Sequence, residues 1–108
     1  MLNVGKMMQK VIFLIDSEYF DKNLLGLTLE KYTKCKVFNF FSFEETLLYK
    51  SLKPSLILHD NNRIDSSFYD EAVNFYDLSN DRKVVKEKRA SEAMLDVASH
   101  VKDFITSR

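Results

Sequence analysis

One cysteine, one proline and two glycines stand in this 108-residue chain, and each scarcity closes off a class of protein. Cys35 alone can form neither an intramolecular disulfide nor a cysteine-rich zinc site, which suits a reducing compartment. It reads as a small apolar side chain. Two glycines build no Gly-rich loop around a phosphate, and there is no nucleophile elbow and no clear Cys/His pair, so an independent metabolic enzyme is not expected. Charge of one sign is missing too. Sixteen basic and sixteen acidic side chains cancel to a formal net charge of zero, leaving no broad field to hold a nucleic-acid backbone or anionic lipid. The one strongly apolar run near the start, Val11 to Ile15, is too short for a signal-peptide core and far too short to cross a bilayer. A cytoplasmic protein with no nucleic-acid partner and no membrane insertion is expected.

What is present is enough for one core. With 45% hydrophobic and 13% aromatic residues, residues 1–108 are expected to form a single domain, with residues 1–8 as a loose extension. Val11-Ile12-Phe13-Leu14-Ile15 runs into Asp16-Ser17-Glu18, an apolar strand tipped with acids. Phe20, Leu24, Leu27 and Leu25, Leu29, Tyr32 form two adjacent rows, which predict a helix over 20–32. Gly26 within it suggests close packing. Val37, Phe38, Phe40 and Phe41 fit a second strand. Ser42 followed by Glu45 is a helix-start signal, with the second helix running to about Leu52 before Pro54 breaks it. Pro54-Ser55-Leu56-Ile57-Leu58-His59-Asp60 is a third strand, delivering a carboxylate to its C-terminal tip. His59 on this strand is expected to be packed and hydrogen-bonded.

Past Asp60 the pattern loosens. Asp65 can cap a helix in which Phe68, Ala72, Phe75 and Tyr76 share a face; 72–78 could instead be a strand, but its apolar residues do not alternate and the helix is favoured. Lys83-Val84-Val85-Lys86-Glu87-Lys88 reads as a fourth, charged edge strand. Ala90, Ala93, Met94, Val97, Ala98, Val101 and Ile105 make the cleanest helical stripe in the chain, with His100 at its surface. Strand and helix thus alternate about four times, the pattern of an α/β protein with a three-layer parallel sheet.

These residues resemble a response-regulator receiver domain, the flavodoxin-like module phosphorylated in two-component signalling. The resemblance rests on Val11 to Glu18, on Ser42-Phe43-Glu44-Glu45-Thr46-Leu47, and above all on Pro54 to Asp60, and it is good from about residue 10 to 62. Asp60 stands 44 residues after Asp16, in keeping with the family's spacing. A full receiver has five strand-helix units and one is expected to be missing here: either Val84-Val85-Lys86 and the last helix match the family's end, or the end of the domain is deleted. The resemblance implies strand order 2-1-3-4.

It also implies a site. Asp60 matches the phosphoacceptor, Asp16 the first acid of the metal-holding pair, Asn62 a backbone carbonyl ligand, and Lys86 the lysine that contacts phosphate. Ser17 stands where the second acid belongs, which places a neutral hydroxyl where Mg²⁺ expects an anionic oxygen and weakens the expected Mg²⁺ binding. Glu18, one residue on, is the candidate compensating ligand. The serine or threonine that ends the family's fourth strand has no convincing counterpart. The expected function is therefore that of an atypical receiver, a signalling module that binds a protein partner, a histidine kinase or a downstream signalling protein, over a degenerate phosphorylation site. The alternatives are a working stand-alone phospho-receiver and a structural homodimerisation module.

Overall fold

The computed structural model describes residues 9–15, 22–60, 64–81 and 90–106. Four strands form one all-parallel sheet in the order β2-β1-β3-β4: β1 (Val11–Ile15), β2 (Lys36–Phe40), β3 (Leu56–His59) and β4 (Asn74–Asp77). The arrangement is flavodoxin-like, as the alternation of the sequence predicts. Among the described residues three α-helices accompany it: α1 (Lys22–Thr33), α2 (Phe43–Thr46) and α3 (Ala90–Thr106). β1 and β3 are buried along nearly their whole length, which is why both read as continuous apolar runs rather than alternating ones.

The two faces of the sheet are covered differently. On one, Ile12, Leu14, Leu56 and Leu58 meet Leu25 and Leu29 of α1 and Ala93, Met94, Val97, Ala98 and Val101 of α3. On the other, Phe13, Ile15 and Ile57 pack under Phe40, Phe43 and Tyr69, with no long helix among the described residues. Aromatic rings do the covering there. Phe13, fully buried, meets Phe40 at 4.7 Å between ring centres and Phe38 edge-on at 6.4 Å, geometries that add to the area term of about 1.5–3 kcal/mol for such a side chain.

Four sequence expectations need correction. In α1 only the Leu25–Leu29 row is buried, while Leu24, Leu27 and Tyr32 are exposed. At about 100° per residue, Leu24 and Leu27 stand well round the helix from the buried row, and one row suffices against the sheet. The second helix stops early. α2 is a single turn, followed by a 3₁₀ segment, Leu47–Leu52, broken at Tyr49 and ended by Lys53 with φ 53°. Phe43 and Thr46 are buried and Leu47 packs against the core, but the stripe would continue at Lys50 and Ser51, which have no apolar side chain to offer.

The third correction is the largest. Residues 74–77 are β4, not the helix expected after Asp65. Asp65 does cap, its Oδ1 accepting from the Ser67 N–H at 3.0 Å, but only for the 3₁₀ turn Ser66–Phe68. Phe75 packs on the aromatic face and Tyr76 on the α1/α3 face, so adjacent apolar residues are each used by a different layer and alternation disappears. The Lys83–Lys88 segment expected as the fourth strand lies outside the described residues, as does the 1–8 extension. Fourth, Gly26 is not needed for a close approach: an added Cβ would lie 3.4 Å from Asn39 Oδ1, ordinary contact. No described helix is long and apolar enough to cross a membrane.

Candidate functional site

β1 and β3 run side by side in the same direction, Ile12 level with Leu56, Phe13 with Ile57 and Leu14 with Leu58. Both strands therefore end at one rim, the C-terminal edge where open α/β sheets collect ligands. Asp60 follows β3 directly and is half-buried at that rim. Asp16, Ser17, Glu18, Asn62 and Lys86, the other residues assigned to the site by resemblance, lie outside the described residues. Among the described residues no group of three or more His, Cys, Asp or Glu side chains is placed to hold a metal ion.

His59 departs from expectation. It is buried, as predicted, at 8% exposure, but its Nδ1 has no hydrogen-bond partner among the described residues. β4 sets Asp77 level with it. Burial pushes the imidazole below its ordinary pKa, opposed by the nearby carboxylates of Asp77 and Asp60. Asp77 in turn accepts the Ser79 N–H at 2.9 Å, closing the turn after β4.

A second polar cluster was not visible in the sequence. Asp81, buried in the 3₁₀ turn Leu78–Asp81, accepts from the Tyr76 hydroxyl at 3.0 Å through Oδ2 and meets Nδ1 of His100 at 2.6 Å through Oδ1. It ties the edge strand β4 to α3. Tyr76 is raised above the ordinary tyrosine value, first by burial and then by the adjacent carboxylate. Phe104 stacks edge-on against Tyr76 at 5.3 Å, completing the junction. His100 is exposed, as expected from its place on the helical stripe, but it also holds a buried carboxylate that the stripe does not announce. Only a pairing between residues 19 apart could have revealed it, and no local pattern encodes that.

Among the described residues, two sizeable concavities lie away from the Asp60 rim. One of about 520 Å³, lined by Lys50, Lys53, Pro54, Tyr69, Asp70 and Val73 among others, opens beside the N-terminal end of β3. Another, of about 350 Å³, flanks β2 between Phe38, Phe40, Tyr49 and Leu52. A scan against protein-family models finds no match to the chain, and searches of curated proteins and of solved structures find none either.

Proposed function

We propose that the chain is an atypical receiver-like signalling module, one that acts by binding a protein partner and does not rely on phosphorylation of Asp60. The observation that carries this is the delivery of Asp60 by β3 to the rim where β1 also ends, in an all-parallel sheet of order β2-β1-β3-β4. A carboxylate there can attack a phosphoryl group only if a cation offsets the charge on both reactants. Ser17 in place of an acid lowers the charge available to Mg²⁺, and Glu18 would have to compensate. With β4 at Asn74–Asp77, the position that ends the fourth strand holds Asp77 rather than a hydroxyl, and Ser79 is the nearest serine beyond it. An extra carboxylate repels phosphate where the family has a donor, which is further support for a degenerate site.

A protein partner fits the surface. Tyr49 and Phe68, each about half exposed, meet Phe40 and Phe43 on the face that carries no long helix among the described residues, and Phe41 and Leu48 are large apolar side chains more exposed still. The partner would be a histidine kinase or a downstream signalling protein. Partial exposure of Asp60 favours a second reading, the working phospho-receiver, in which Asp60 is the nucleophile, Asp16 and the Asn62 carbonyl share the cation, and Lys86 pairs with the phosphoryl oxygens.

Intact-mass spectrometry after incubation with Mg²⁺ and acetyl phosphate, repeated with a beryllofluoride mimic, separates the two. The expected result is no stoichiometric adduct. An adduct that Asp60→Asn abolishes would overturn the proposal and establish the second reading.

A further inference from the structure

Among the described residues β2 is an edge strand, paired to β1 alone. The Lys36 N–H donates to the Lys10 carbonyl at 2.9 Å. In the alternation of a parallel ladder the N–H groups of Lys36, Phe38 and Phe40 therefore face β1, and those of Val37, Asn39 and Phe41 face away. An outward row of this kind is a template for one more strand. Two of its three donors are already taken by carboxylates. Glu30 reaches from α1 to accept the Val37 N–H at 2.9 Å, and Glu45 reaches back from α2 to accept the Phe41 N–H at 2.8 Å.

We propose that Glu30 and Glu45 close the β2 edge against strand addition by a second copy of this chain. Glu45 has a local role as well, since it sits in the first turn of α2 beside the Ser42 cap. Glu30 has no such role on Val37, seven residues away. Lys36, exposed on the edge itself, stands 3.6 Å from the same Glu30 oxygen and steadies it. Between the two carboxylates only Asn39 is left, exposed, and a single N–H does not hold a strand.

A second copy is the occupant that the edge would otherwise take. β2 offers Val37 on one side of the sheet and Phe38 and Phe40 beside a groove of about 350 Å³ whose wall includes Tyr49 and Leu52. Across Asn39 a groove of about 290 Å³ is lined by Gly26, Leu27 and Val37. Two β2 strands meeting antiparallel at Asn39 would set each strand's apolar side chains into these grooves. Their hydrogen bonds would need the Val37 and Phe41 donors that the glutamates hold.

The test compares Glu30→Ala/Glu45→Ala with Glu30→Gln/Glu45→Gln, because glutamine keeps an oxygen that accepts the backbone N–H. Sedimentation over an about hundredfold range of concentration and amide hydrogen exchange are measured on both and on the parent. The parent and the glutamine pair are expected to share one concentration-independent mass, with Val37 and Phe41 amides exchanging more slowly than Asn39. The alanine pair is expected to rise at least twofold in mass with concentration, and its Asn39 amide to become protected. A cooperatively melting alanine pair with the parent's mass throughout would overturn the proposal. So would a parent in which Val37 and Phe41 exchange as fast as Asn39, a result that decides the matter even if the alanine pair does not fold.

Discussion

Asp81 is a carboxylate with 3% of its surface exposed, and it keeps its place because a phenol and an imidazole meet its two oxygens. Truncating it leaves the half-buried Tyr76 hydroxyl without its acceptor, a cost of about 1–3 kcal/mol. Asp81→Ala should accordingly lower the thermal midpoint by roughly 4–8 °C per kcal/mol. Asp81→Ala combined with Tyr76→Phe should cost less than the two changes summed, since each removes the same bond. The cluster also sets an alkaline limit. Tyr76 has a folded pKa above its unfolded value of 10.0, so its contribution is whole below pH 10 and is lost as pH rises beyond it. In Asp81→Ala the late phenol ionisation, followed by ultraviolet absorbance, should move down towards pH 10; an unchanged titration would show that the carboxylate does not act on Tyr76. None of this was legible in the sequence, where Asp81 belongs to a turn signal and His100 to a helix surface. Their meeting depends on how β4 and α3 dock, and docking leaves no local trace.

Elements were legible where one physical demand dominated. β1 and β3 are apolar on both faces, and α3 repeats its buried residues at helical spacing over seventeen residues. β4 hid because its two faces serve two layers, and α2 was overestimated because a good cap at Ser42 says where a helix starts and not how far its apolar stripe runs. Helix ends carry a related lesson. α1 ends with Lys34 at φ 61°, its N–H donating to the Glu30 carbonyl at 3.2 Å, a left-handed cap of the kind glycine usually fills. A non-glycine residue there costs about 1–2 kcal/mol. Lys34 is exposed and its side chain does not cover the core. Lys34→Gly should therefore raise the thermal midpoint by several degrees, as read by calorimetry; a lowered midpoint would mean that the lysine side chain contributes more than its backbone costs.

At the scale of the whole molecule, the parallel sheet followed from the alternation of strand and helix, whereas its strand order was implied only by the resemblance to receiver domains. The order β2-β1-β3-β4 holds even though its last strand is a different segment from the one expected. The site was legible only in part. Asp60 stands at the expected rim, whereas the unpartnered Nδ1 of His59 and the carboxylate of Asp77 beside it come from β3–β4 pairing, which the sequence does not display. The receiver reading makes Ser17 the residue that disables the cation site, and that is directly reversible. Mg²⁺ titration of isotope-labelled parent and Ser17→Asp proteins, followed through the amides of Ile15, His59 and Asp60, should give no saturable shift in the parent and a saturable one at all three in the variant. Saturable shifts in the parent, or none in a folded Ser17→Asp protein, would contradict the account.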